Sequence, residues 1–390
     1  MPHYRRVGEV PPKRHTASRN ADGTLVTEEL VGEEGFSGPS SLVYHRRPPT
    51  EICAVEAIDA PYDEVLTPHR PVAPRHLLSR KLDPTGPTDA VTGRRLLLGN
   101  DDVRLSVVAA DTPSPLFRDA TGDQLVFVET GAGVLESTFG PLQVRGGDYV
   151  VIPGSVTHRW VPSPALRLLV LEASGHVEVP HRYLSKEGQH LEGAPYAERD
   201  LRGPEELPAE PAEGPVDVLV RHRQGWTRMT YATSPFDVLG WDGCAYPWAL
   251  SVHDLEPLTG RIHQPPPVHQ TFAGPGFVVC SFVPRRLDDH PLAVPAPYAH
   301  SNIDSDEVLC YVDGDFTSRK GAGIAAGSLT LHPAGLPHGP QPGAAEASIG
   351  AERTDELAVM LDTFRPLQLG EGALACADPA YLRSWLAPVR

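Results

Sequence analysis

The chain offers no cysteine pattern to build on. Its five cysteines (Cys53, Cys244, Cys280, Cys310 and Cys376) are odd in number and scattered, with no C-x-x-C pair. That spacing argues against a disulfide framework and a thiolate metal site, and fits reduced thiols in a cytoplasmic protein. No apolar run is long enough to cross a bilayer, and the opening MPHYRRVGEVPPKRH lacks the apolar centre of a signal peptide. No basic block interrupts a formal charge of −16, so nucleic acid and anionic membrane are not expected partners. Long amphipathic helical patterns are scarce. The GAGIAAG stretch at 321–327 lacks the strand before and helix after that a dinucleotide loop needs, and reads as a turn.

What the chain has in excess is punctuation. Among 390 residues stand 42 prolines and 36 glycines, set between short Val/Leu/Ile/Phe runs. Such spacing suits many short strands joined by tight turns, so the expected class is all-β. A length of 390 residues predicts two domains. The first hundred residues read as Pro- and Arg-rich strapping with short strands such as SSLVYHR. A first strand series follows, from VRLSVVAA to LRLLVLEAS. The acidic, proline-rich DLRGPEELPAEPAEGP at 200–215 reads as a linker. The expected domains are therefore 1–215 and 216–390. The second strand series runs DVLVRHR, GFVVCSFVP, DEVLCYVDG and GSLTLHPAG, with a few helical turns in DPAYLRSWLAP.

Chemistry concentrates in PYAHSNIDSDEVLCYVDGDF, 297–316. In a strand, His300 and Asn302 point to one face because the side-chain period is two. The polar IDSD segment is turn-like, and Glu307 then opens a returning strand with Leu309 and Tyr311 on its own face. Asp304 and Asp306 fall at the turn, where aspartate serves local hydrogen bonding; Asp306 remains an alternative ligand to Glu307. His338 arrives from another strand end after the rigid PAGLP corner. Two imidazoles and one carboxylate with open positions beside them form the facial triad of non-haem Fe(II) oxygenases. His332, before the PAG corner, is expected to lie behind these ligands at most.

The offsets H-x-N-x4-E-x6-G (His300, Asn302, Glu307, Gly314) and G-x5-P-x-G-x2-H (Gly327, Pro333, Gly335, His338) resemble the two-part signature of the cupin superfamily. The first strand series repeats the skeleton: Gln124-x6-Gly131, then Gly147-x5-Pro153, with His158 five residues on. There Phe117, Asp119 and Gln124 stand in the places of the two histidines and the acid, and only His158 survives. The resemblance implies a bicupin with a degenerate, metal-free first barrel and a metal-binding second one.

Upstream, SPFDVLGWDG, RIHQPPP and SFVPRR, with PYAHSN and LPHGP beyond, resemble the homogentisate 1,2-dioxygenase family over roughly 230–345. Carried over by position, the resemblance implies that His300, Glu307 and His338 hold Fe(II). It makes His263 the base on a ring hydroxyl, with His269 as the alternative base or a substrate contact. Tyr298 and Arg285 become substrate contacts, the guanidinium suiting a carboxylate. The implied partners are a small aromatic acid and O₂, with ring opening of homogentisate to maleylacetoacetate and a homo-oligomeric assembly. Two departures, Glu307 one residue further from Asn302 and Ala299 where an aromatic is common, point to a divergent branch. A gentisate-type dioxygenase, a bicupin isomerase or decarboxylase using Mn or Zn, and a non-catalytic metal-binding bicupin remain open.

Overall fold

The computed structural model describes residues 3–210, 213–264, 269–319 and 323–386. Residues 265–267 of RIHQPPP, 211–212 of the linker, 321–322 of GAGIAAG and 387–388 of the C-terminal segment lie outside them.

The protein is a bicupin, all-β as its punctuation implied. Among the described residues the α-helices are two short ones, Ala344–Ser348 and Glu371–Cys376. DPAYLRSWLAP contributes a single 3-10 turn at Tyr381–Arg383. Among the described residues no helix is long and apolar enough to cross a membrane, and all five cysteines are unpaired. A fourteen-stranded sheet forms the first barrel, and a six-stranded sheet the wall of the second. Turn chemistry sets the corners: Gly131, Gly147, Gly314 and Gly327, the glycines of both signatures, all have φ between 84° and 101°. Only glycine takes that conformation without strain.

The two sheets pack back to back. Alternation along Asp306–Asp313 aims Val308 and Cys310 at the first barrel, where they meet Leu125, Phe127 and Leu171. Glu307 and Leu309 face the opposite way, into a cavity of the second barrel. Burying each large aliphatic side chain at this seam contributes about 1.5–3 kcal/mol. The seam also holds one polar stitch, Tyr149 Oη to Ser281 Oγ at 2.7 Å.

Long-range pairings cross the expected boundary at 215/216 in both directions. The strands Val216–His222 and Gly225–Tyr231, expected to begin the second domain, join the first sheet through Leu116–Asp119 and Ile52–Ile58. Val238–Gly243 pairs with Arg5–Gly8 and Ser40–His45, and Trp248–Ser251 with Asp148–Ile152. The linker itself begins with a strand, Leu201–Arg202, on Trp248–Ser251. Hydrogen bonding therefore ties the strands of 216–251 to strands of the first half. Conversely, the N-terminal strand Arg75–Leu78 crosses to the second sheet and pairs with Ser328–His332.

Candidate metal centre and its cavity

The returning strand begins at Asp306, with Glu307 as its second residue. Its register puts Glu307 opposite His332 on one side and Asp362 on the other. The strand expected around His300 reduces to one bridge, His300 to His338, closed by two backbone bonds of 2.8 and 2.9 Å. Prolines explain the shortening. Pro295 and Pro297 precede His300, and Pro333 and Pro337 flank the partner corner, so few N–H groups remain for a ladder. That single bridge nevertheless sets the two imidazoles side by side, ring centroids 4.3 Å apart.

Glu307 lies between them. Its Oε2 is 3.5 Å from His300 Nε2 and its Oε1 3.4 Å from His338 Nε2. Ligand atoms of the three residues all lie within 4.8 Å of one another. His338 Nδ1 faces the carbonyl of Leu336 at 3.1 Å, which holds a proton there and turns the Nε2 lone pair inward. That Nε2 is buried and without a hydrogen-bond partner. Burial alone would raise the Glu307 carboxyl. The surrounding imidazoles of His300, His332 and His338 outweigh it and hold the group well below the usual carboxylate range. A buried anion and an orphaned imidazole nitrogen converging on one point fit a divalent cation.

Asp306 has other work. Its Oδ1 accepts from Ala334 N at 2.9 Å and its Oδ2 from Leu367 N at 2.7 Å. Both oxygens tie loops together and neither faces the histidines.

His332, expected at most behind the ligands, stands directly behind Glu307. Its Nδ1 is 3.0 Å from Glu307 Oε1, its Nε2 3.0 Å from Tyr381 Oη, and its ring stacks on His338 at 4.3 Å. Burial pushes its pKa down to about 4, so a neutral ring orients the carboxylate. The sequence carried one usable signal: hairpin register pairs Glu307 with the last residue of the next strand.

His300 and Glu307 line a cavity of about 430 Å³ that is also lined by all four remaining expected site residues. His263 and Tyr298 stand edge to face at 5.3 Å, with Tyr298 63% exposed at the mouth. His269 is buried against Phe282, and burial brings its pKa to about 4. Burial likewise lowers His263, helped by the charge of Arg285. Arg285 lies over the Phe282 ring and 3.7 Å from Glu356. Four charged lining residues carried no motif: Asp288, Arg319, Glu356 and Asp362. Arg319 is committed to Gly339 O and Tyr311 Oη, at 2.5 and 3.1 Å. Asp362, beside Glu307, is pushed up to about 7 by burial and by that neighbouring charge.

Known proteins agree with this architecture. Residues 81–252 match the family described as homogentisate 1,2-dioxygenase N-terminal, and 257–389 its C-terminal counterpart. A Saccharolobus solfataricus protein named "Putative dioxygenase SSO1533" is 39% identical over 99% of both chains. A homogentisate 1,2-dioxygenase of Pseudomonas savastanoi is 25% identical, covering 78% of this chain and 74% of its own. Another, from Rhodopseudomonas palustris, is 27% identical over 67% of this chain and 60% of its own.

Proposed function

The chain belongs to the homogentisate 1,2-dioxygenase family, and from that premise we propose that it opens the ring of a hydroquinone acid, homogentisate or a close relative, with Fe(II) and O₂. The observation that carries the reading is the triad of His300, Glu307 and His338, two of whose members, His300 and Glu307, line a cavity of ligand size. These three residues would hold the metal and leave its cavity side open. Bound there, Fe(II) supplies the one-electron chemistry with O₂ that side chains lack.

The remaining work belongs to the chain. His263 is the base: its lowered pKa keeps it neutral at pH 7, ready to take the proton of a ring hydroxyl. His269, neutral for the same reason, is the alternative base or a contact on the ring. Arg285 anchors the substrate carboxylate; at 3.7 Å, Glu356 holds its guanidinium too loosely to saturate it. Tyr298 donates a hydrogen bond from the mouth. Leu309, Met360 and Phe282 line the wall and exclude water from the reacting ring. Homogentisate would take up both oxygen atoms and leave as maleylacetoacetate. Free thiols and the acidic charge fit a cytoplasmic enzyme, and the long N-terminal strapping fits a homo-oligomer.

The test is anaerobic loading with Fe(II), then oxygen uptake with homogentisate and, in parallel, gentisate. The expected result is uptake with homogentisate or a substituted relative, abolished in His300→Ala. Uptake with gentisate alone would move the protein to the rival dioxygenase class, and failure to bind Fe(II) would end the oxygenase reading.

A further inference from the structure

A second cluster of metal-type donors shares no residue with the cavity and comes from the first half of the chain. Glu33, Asp123 and His176 each offer one ligand atom within 4.8 Å of the others. They come from three places. Glu33 follows the strap strand Thr27–Gly32, Asp123 precedes the barrel strand Gln124–Ser137, and His176 follows the strand His158–Ala173. Two residues on, Glu178 exchanges backbone bonds of 2.8 and 2.9 Å with Ala273 of the second sheet. Strap, first barrel and second barrel therefore meet at this point.

The spacing of the donors is longer than in most histidine–carboxylate pairs of the described residues, although His176 Nδ1 still reaches Asp123 Oδ1 as a hydrogen bond. His176 Nδ1 is 3.4 Å from Asp123 Oδ1 and 3.6 Å from Glu33 Oε2. Six other histidine–carboxylate contacts in the described residues, involving His15, His45 twice, His76, His190 and His332, lie at 2.8–3.1 Å. Only His181–Glu178, at 3.5 Å, is as long among such pairs outside the two clusters, and its side chains are 90% and 54% exposed to water. The histidines and Glu307 of the candidate metal centre stand 3.4 and 3.5 Å apart. Charge-assisted hydrogen bonds close to about 2.7–2.9 Å. Ligands about 2.0–2.2 Å from a shared tetrahedral cation stand about 3.3–3.6 Å from one another. The histidine–carboxylate distances of both clusters fall in the second range.

We propose that Glu33, Asp123 and His176 form a divalent-cation site of the zinc type that fastens the N-terminal strap to the first barrel. One imidazole and two carboxylates are donors that Zn²⁺ accepts. Asp123 is 3% exposed and held by backbone donors, Gly154 N to Oδ1 at 2.8 Å and Val177 N to Oδ2 at 2.9 Å. That leaves Oδ1 one lone pair for a metal and fixes its direction, as outer hydrogen bonds do for ligating carboxylates. The side chains of His176 and Glu33 are 31% and 19% exposed, so water can complete the coordination. Glu34 and Glu178 add negative charge to the same spot.

The experiment is equilibrium dialysis of chelator-stripped full-length protein against Zn²⁺, with Mn²⁺ as a second arm, read by mass-spectrometric metal content. Wild type should hold two equivalents of Zn²⁺, and His300→Ala one, at the strap site. His176→Ala and the milder Glu33→Gln should each lose the strap equivalent, with affinity reduced more than the 10–100-fold that outer partners cost. Zn²⁺ should also slow hydrogen exchange in 27–45 in His300→Ala but not in the double variant with His176→Ala. A single equivalent in wild type, or unchanged stoichiometry and strap exchange in His176→Ala and Glu33→Gln, would overturn the proposal. Loss of metal in His300→Ala that leaves none at the strap would do so as well, whatever the oxygen-uptake result.

Discussion

The two barrels place one set of positions in two chemical states. Register makes the equivalence explicit: Phe117 bridges His158 as His300 bridges His338. Gln124 sits opposite Ile152 and Glu172, as Glu307 sits opposite His332 and Asp362. Even the hairpin acids correspond, since Asp123 binds Gly154 N and Val177 N as Asp306 binds Ala334 N and Leu367 N. The centres differ completely. In the first barrel Arg94 reaches Glu172 at 2.6 Å and Gln124 at 3.3 Å. Arg221 contacts Glu172 at 3.1 Å, Asp119 at 3.3 Å and Glu64 at 3.0 Å. Two guanidinium groups fill the space and supply the positive charge that the second barrel leaves for a cation. The difference teaches that a cupin centre is a charge-balance problem, solved once by fixed arginines and once by open ligands.

Four perturbations would break or sharpen that contrast. The largest effect is expected from Glu307→Gln, which gives the second centre the amide of the first. Metal content at that centre and oxygen uptake should both fall by more than a hundredfold, measured on protein loaded with Fe(II). Arg94→Met should cost about 3–5 kcal/mol of stability by leaving Glu172 buried beside one fewer cation. Urea unfolding reads that loss, while metal content per folded molecule should be unchanged.

The third concerns acid. Burial pushes His158 down to about 4, against about 6.5 in the unfolded chain. The unfolded state therefore takes the proton first. The contribution of the neutral ring is complete above pH 6.5 and disappears as pH falls to 4, about 3 kcal/mol in all. His158→Gln should flatten the fall in urea midpoint across that window. The smallest effect belongs to Asp306→Asn. It should keep metal stoichiometry and cost about 1–3 kcal/mol, since one buried backbone donor loses its partner. Loss of metal instead would restore Asp306 as a ligand.

Much of this was legible in local pattern. The all-β class followed from glycine and proline spacing. The offsets of His300, Glu307 and His338 survived folding because a hairpin and a proline corner are short-range objects. What escaped was non-local. Nothing in VDVLVRH announces that it pairs with Leu116–Asp119, or in RHLL that it crosses to Ser328–His332. Arg94, Arg221, Arg319 and Asp362 escaped for a related reason. Each acts through a partner distant in sequence, and a lone charged residue in a strand has no motif. His332 was visible but undervalued, because its contact with Glu307 depends on ladder register rather than on spacing across the turn.

The crossing of Arg75–Leu78 into the second sheet also sets a clock. Leu77 is fully buried and pairs with Leu329, about 250 residues later in the chain. At about 5–20 residues per second of translation, Leu77 waits roughly 10–50 s on the ribosome before its partner exists. During that interval the first barrel can pair only the strands already made, and RHLL remains without its partner strand. Chains arrested before residue 328 should be cut by protease near Leu77, and completed chains should resist. The second barrel is thus the last part made and yet depends on one of the first.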